Sequence, residues 1–299
     1  MSVVTRPASV DSRAEHALRT ANALVAVFLG FTLPATIAAV GYSASVAALI
    51  VHVGTLSLAF WVATGDDGHE PNLLRDWLPL LAGPYLYVHL RWVIDVVGRP
   101  HLDVLVQQWE TSAFPSDPSH SLASRFGSVA ASELLHLAYL SYYALIYVPP
   151  AILYWRHHRR VEFAATMFAL VIVYAVCFAA FIFFPVDGPR FVRGAAAAPH
   201  GPVRSVVLAL LESGSSRGTA FPSSHVAASV VASLCALRFQ RRVGVVVAVA
   251  TAGIGVGAVY GGFHYAVDVV AGLAVGVVSY VLAMKWFFLR DPGLASSHM

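Results

Sequence analysis

Apolar residues dominate the chain in blocks long enough to cross a bilayer, broken by short polar or basic connections. A helical span needs about 20 largely apolar residues. Eight segments meet or approach that length: roughly 22–41, 45–63, 77–98, 127–154, 161–184, 224–240, 243–261 and 264–287. The block at 77–98 is the least uniform, since it carries Arg91, Asp95, Pro79 and Pro84. The first block is long enough to span and is followed by others, so it does not read as a cleaved signal peptide. The predicted fold class is therefore an all-α polytopic transmembrane bundle of about eight spans. It divides into residues 1–76 (an N-terminal segment with two accessory helices), a main membrane domain at 77–290, and a tail at 291–299.

Two connections are long. Residues 99–126 contain Asp103, Glu110, Asp117 and three prolines, and residues 185–223 include the apolar stretch SVVLALLE at 205–212. That stretch is predicted to be a helix lying in the membrane interface.

Composition agrees with the block pattern. Only 12% of the 299 residues are charged, 58% are hydrophobic, and the net charge is +3. Such a chain cannot cover the surface of a soluble domain, and its composition excludes disorder and a disulfide scaffold. The basic residues form no long run interleaved with aromatics, so nucleic acid is not an expected partner. Cys177 and Cys235 both fall in apolar segments and read as small core residues.

Charge also predicts orientation. With the N-terminus inside, 12 of the 19 basic residues fall on the inner side and 6 on the outer, with Arg91 within a span. The short connections WRHHRR and RFQRR carry the strongest positive-inside signal. Both termini are then expected in the cytoplasm. The Ala, Val and Arg bias, with a single lysine, points to a GC-rich bacterial source and hence a plasma membrane.

Ionisable residues inside spans are costly and mark functional candidates. His89, Arg91, Asp95, Glu133, His136 and Asp268 all fall toward the outer ends of their spans, as one outward-opening polar cavity would require. Arg91 and Asp95, at i,i+4, are also placed to neutralise each other. Glu133, His136, Tyr139 and Tyr142 are candidates for an acceptor or headgroup pocket, although aromatics at this spacing more often pack.

Three clusters stand at outer span ends: PVDGPRF with Arg190, SRGTAFPSSH with Arg217, Ser223, Ser224 and His225, and YGGFHYAVD with His264 and Asp268. His264 and Asp268 share a helix face. A carboxylate that holds Nδ1–H leaves Nε2 as an oriented nucleophile or base. His225 stands at a helix entry, where free N–H groups and the dipole suit a phosphate, and it can protonate a leaving oxygen. Arginines bind phosphate oxygens bidentately. Taken singly, each cluster has a plain structural explanation, as a packing pair, a helix cap or an interfacial anchor. Together, on one side, they fit metal-free phosphoryl transfer through a phosphohistidine. The spacing of the histidines does not match a helical HExxH metal site.

These clusters resemble the three motifs of the type 2 phosphatidic acid phosphatase superfamily of membrane lipid phosphatases, usually KxxxxxxRP, PSGH and SRxxxxxHxxxD. Here they read PVDGPR, PSSH and HYAVD. Gly257 and Ala258 stand where the third motif has Ser-Arg, so one phosphate-binding arginine is missing, and Arg217 is the candidate replacement. The first-motif lysine has no match. PVDGPRF, FPSSH and YxGxHYxVD, with the upstream ELLHLAYLSYYALIYVPP and DVLVQQWETSAFPSDPS, are similar to the inositol phosphorylceramide synthase-like branch, across about residues 80–287. The resemblance implies His264 as nucleophile, Asp268 as its orienting carboxylate, His225 as acid/base and Arg190 as a phosphate ligand. Arg217, Ser223 and Ser224 are weaker additions to that set. It further implies a phospholipid-type substrate, water or an alcohol as acceptor, and no cofactor or metal. The alternative is a non-enzymatic lipid transporter or flippase with an outward-facing phosphate site; no inverted repeat with broken helices supports it.

Overall fold

The computed structural model describes residues 8–65, 72–194 and 198–289. Fourteen α-helices follow in order: α1 (Ala8–Ala39), α2 (Val46–Thr64), α3 (Leu73–Leu81), α4 (Gly83–Val97), α5 (Asp103–Ala113), α6 (Pro118–Arg125), α7 (Val129–Leu140), α8 (Tyr142–Tyr154), α9 (Arg160–Phe183), α10 (Pro189–Arg193), α11 (Pro202–Gly214), α12 (Ser224–Phe239), α13 (Arg241–Tyr260) and α14 (Ala266–Leu289). No strand is present among the described residues; two isolated bridges, Val40–Ala44 and Val186–Thr219, are the only extended pairings there. The predicted tail at 291–299 lies outside the described residues.

Among the described residues, six spans are long and apolar enough to cross a bilayer: Ser12–Ala39, Val46–Thr64, Leu73–Val97, Arg160–Phe183, Arg241–Tyr260 and Ala266–Phe288. The predicted span at 127–154 is instead a pair, α7 and α8, bent by 44°. Ser141 explains the break, because its hydroxyl donates to Ala138 O at 2.6 Å and competes with the helical ladder. The predicted span at 224–240 is α12, with 16 residues. At about 1.5 Å per residue it is shorter than a hydrocarbon core of about 30 Å. The expected eight spans thus become six, a bent seventh, and a short buried helix. α12 packs against α8, α9, α13 and α14.

Small residues bring these helices close, as expected where lipid supplies no hydrophobic drive between helices. Gly272 and Gly276 on α14 face α12: a Cβ there would lie 2.6 Å from Ser223 O and 2.7 Å from Ala227 O. A Cβ on Gly257 of α13 would lie 2.4 Å from Leu135 O on α7.

The two ends of the bundle differ. At one end, Arg160 reaches Asp76 at 2.8 Å, Arg75 lies 3.4 Å from Asp76, and Arg159 donates to Phe239 O. The other end holds α5, α6, α10 and α11. The connection 99–126 is thus largely helical, the connection 185–223 holds two helices, and SVVLALLE lies within α11. Cys177 and Cys235 are buried and free.

Candidate active site

The loop from Pro185 to Ser223 is folded back on itself by Asp187. Its carboxylate accepts from Gly218 N at 2.8 Å and from Arg217 Nε at 3.0 Å, and pairs with His101 Nδ1 at 2.7 Å. Ala220 N donates a further backbone bond to Val186 O at 2.8 Å. Gly188 adopts φ +88, and a Cβ there would lie 3.0 Å from Ala220 Cβ and 3.1 Å from Phe263 O. Only glycine combines that backbone with so close an approach. The turn delivers Arg190, on α10, to the mouth of the bundle. Its guanidinium donates to Ser215 Oγ and packs 4.4 Å from the Phe191 ring. Burial pulls it below the ordinary arginine range. No carboxylate lies within ion-pairing distance of it among the described residues.

His264 precedes α14, and Asp268 stands one turn further on, fully buried. His264 Nδ1 lies 3.0 Å from Ala220 O and 3.4 Å from Asp268 Oδ2. Neither a carbonyl nor a carboxylate oxygen can donate, so Nδ1 carries a proton, and in the neutral ring Nε2 is the nitrogen with the lone pair. Asp268 Oδ2 also accepts from Tyr265 N at 2.8 Å, while Oδ1 has no partner.

His225 is in the first turn of α12, which Ser223 caps by accepting from Val226 N at 3.5 Å. Its ring lies 6.0 Å from that of His264. It is stacked on Tyr139 at 5.1 Å and meets Tyr142 at 4.3 Å, and its Nε2 is 3.3 Å from Tyr139 Oη. The bend at Ser141 is what turns Tyr139 of α7 and Tyr142 of α8 onto one imidazole. Arg190, His225, His264 and Tyr139 line one cavity.

Other candidates stand elsewhere. Arg217 is 64% exposed and engaged by Asp187. Ser223 is spent on its cap, and Ser224 faces a neighbouring apolar pocket. Glu133 does not enter the cavity: it accepts from Val203 N and Arg204 N at 2.8 and 3.1 Å, capping α11. His136 bonds Ser132 O at 2.7 Å and packs edge-on against Tyr260 and Phe263. The single polar cavity expected from shared depth is not formed, because depth fixes a level in the bundle but not a side of it. His89 meets Thr36 and stacks near His52, whose ring is 4.5 Å away. Arg91 and Asp95 form no ion pair; Arg91 Nε turns back to Val88 O at 3.2 Å and Asp95 is exposed.

Two residues beside the site, noted in the sequence only within a long connection and the DVLVQQWETSAFPSDPS stretch, had no role assigned to them. Asp103 accepts from Asp187 N and Gly188 N, both at 2.9 Å, and Glu110 accepts from Ala266 N and Val267 N at 2.9 and 3.0 Å. Both lie on α5, seven residues apart, so one short helix grips the turn before Arg190 and the first turn of α14. His101, Asp103 and Asp187 cluster closely enough to hold a cation. Their carboxylates, however, already accept backbone N–H groups and Arg217, which leaves a cation few lone pairs.

The PAP2 superfamily profile matches residues 113–282, more than half of the chain. The chain belongs to this superfamily. The match begins at the end of α5 and ends within α14, so it includes Arg190, His225, His264 and Asp268. No curated protein and no solved structure gives a significant match. Superfamily membership makes this an integral-membrane enzyme of the phosphatase or phosphotransferase type that acts on lipids.

Proposed function

We propose that this PAP2 enzyme transfers a phosphoryl or phospho-headgroup from a phospholipid-type substrate through a phosphohistidine on His264, without a metal. The observation that carries the reading is the setting of His264, whose Nδ1 lies 3.0 Å from Ala220 O and 3.4 Å from Asp268 Oδ2, two acceptors that favour a proton on that nitrogen. Nε2 is thereby available for in-line attack on phosphorus. The P–O bond to the leaving alcohol breaks as the P–N bond forms, and His225 gives its proton to the departing oxygen. Arg190 neutralises charge gathering on the equatorial oxygens, and Asp268 balances the imidazolium. Water or a second alcohol, deprotonated by His225, then attacks phosphorus and frees His264. Water yields a phosphatase. A lipid alcohol yields headgroup transfer, such as an inositol phosphate-like group passed to a ceramide-like acceptor.

The arginine-rich connections at the opposite end orient that end to the cytoplasm. The site then faces outward in a bacterial plasma membrane, with both termini inside.

Rapid quench of the purified protein with a lipid labelled in its phosphate, in excess EDTA, tests the chemistry. A base-stable, acid-labile phosphoenzyme should form, should be absent from His264→Ala, and should chase into phosphate or into a new lipid. Turnover with no such adduct, or only with added metal, overturns the reading.

A further inference from the structure

His89 is a buried span histidine that the reaction does not use, and a second buried histidine stands beside it. Tyr85 and His89, at i,i+4, share one face of α4, while Tyr87, between them, lines the reaction cavity. His52 of α2 meets that face: its ring lies 4.5 Å from that of His89 and 6.4 Å from that of Tyr85. Both imidazoles are fully buried. Each is held from α1, and the hydrogen bonds decide which nitrogen is free. His52 Nε2 lies 2.9 Å from Leu29 O. A carbonyl cannot donate, so this Nε2 carries a proton. His89 Nε2 lies 3.1 Å from Thr36 Oγ1, whose own hydrogen goes to Thr32 O at 2.9 Å. The hydroxyl therefore accepts, and His89 Nε2 donates as well. In the neutral rings Nδ1 is then the lone-pair nitrogen of both. Both Nδ1 atoms are buried with no hydrogen-bond partner among the described residues, as is the Tyr85 hydroxyl. Burying such groups unmatched is costly.

We propose that His52 and His89 bind one Cu(I) ion through their Nδ1 atoms and so clamp α2 to α4. The arrangement is that of metal-binding imidazoles, whose other ring nitrogen donates to an oxygen that fixes tautomer and aim. A centroid separation of 4.5 Å accommodates two metal–nitrogen bonds of about 2.0 Å each. Charge and ligand number choose the ion. No third histidine, cysteine or carboxylate completes a cluster with the pair among the described residues. Tetrahedral Zn(II) would lack ligands there, and its double charge would be buried without a counter-charge. Cu(I) brings a single charge, takes imidazole ligands, and is satisfied by two or three of them. The ion binds and stays as Cu(I), with no redox step. The clamp lies outside the cavity of His264, and it stands whether or not the chemistry proposed there is right.

Anaerobic titration of the full-length protein in detergent with Cu(I), against a chromogenic Cu(I) chelator, tests the site. Wild type should hold one equivalent and show nitrogen ligation at low coordination number by X-ray absorption. His52→Phe and His89→Phe should each lose the bound ion. Thr36→Val keeps shape and removes only the acceptor of His89 Nε2–H. It should weaken retention by about 10–100-fold, and it reports on the site even where a variant without one of the rings misfolds. His136→Phe is the control. His136 is also buried with an unpartnered ring nitrogen, but it packs on Tyr260 and Phe263 instead of a second imidazole, so its loss should leave the stoichiometry at one. Failure of folded wild type to take up copper, equal retention in Thr36→Val and wild type, loss of the ion from folded His136→Phe, or tighter retention of Zn(II) than of Cu(I) overturns the proposal.

Discussion

The two ends of this bundle spend their charges differently. At the end that carries WRHHRR and RFQRR, buried carboxylates pair with arginines: Asp76 holds Arg160 and Arg75, and Glu15 holds Arg19 at 2.7 Å. At the other end Asp103, Glu110 and Glu133 grip backbone N–H groups of the turn before α10, of α14 and of α11, and the ion pairs there, Arg217–Asp187 and Arg193–Asp117, tie loops and short helices. One end pins helices by ion pairs. The other builds loops with acids and, among the described residues, leaves Arg190 with no carboxylate in ion-pairing distance, at the cavity that His264 also lines. A cation that is neutralised by its own protein serves stability; one left without an anion is ready for a substrate's.

The largest test sets His264 against Asp76. His264→Ala should lower turnover of a lipid phosphate by about 10³-fold or more while leaving the thermal midpoint in detergent near that of wild type. Asp76→Ala should do the reverse. It removes the carboxylate that holds Arg160 and neighbours Arg75 in a buried place, at a cost of about 3–5 kcal/mol, with near-normal activity per folded molecule. If Asp76→Ala loses activity in step with His264→Ala at unchanged stability, the division between the ends is wrong.

Arg190 comes next. Arg190→Ala should cost about 10²–10³ in kcat/KM, as loss of one oxyanion donor does elsewhere. Lysine should rescue only part, because it cannot offer a planar pair of donors. Arg217, already engaged by Asp187 and largely exposed, should matter far less under the same assay. A larger loss at Arg217 than at Arg190 would reverse the assignment of the phosphate ligand.

What the sequence made legible follows from the range of each interaction. The spans are visible because each is a local excess of apolar residues. His264 and Asp268 are visible because i,i+4 on a helix is contact. Ser223 reads as a cap for the same local reason. The bend at Ser141 is a competition between one hydroxyl and a ladder bond, which hydropathy does not register. Glu133 was placed with the site by depth, yet its partners are two N–H groups about 70 residues away. His89 likewise shares depth with the cluster, but its neighbours are on α1 and α2. Asp103 and Glu110 sit in a connection with no apolar period to mark it, and their contacts with residues 187–188 and 266–267 exist only once the chain has returned to the same end.

The smallest expected effect is the sharpest test of that last point. Glu110→Gln keeps shape and one acceptor but points an NH₂ group at one of the two N–H donors it now serves. The first turn of α14, and with it His264, should shift by a fraction of an ångström. Because small misplacements of a nucleophile cost rate, kcat should fall by about tenfold with KM nearly unchanged. Glu162→Gln is the matched control at the other end: its pair with Arg159, at 3.2 Å, is partly exposed, and such pairs contribute about 0–1 kcal/mol. It should leave kcat alone. A rise in KM without loss of kcat in Glu110→Gln would mean that α5 shapes substrate binding instead of the aim of His264.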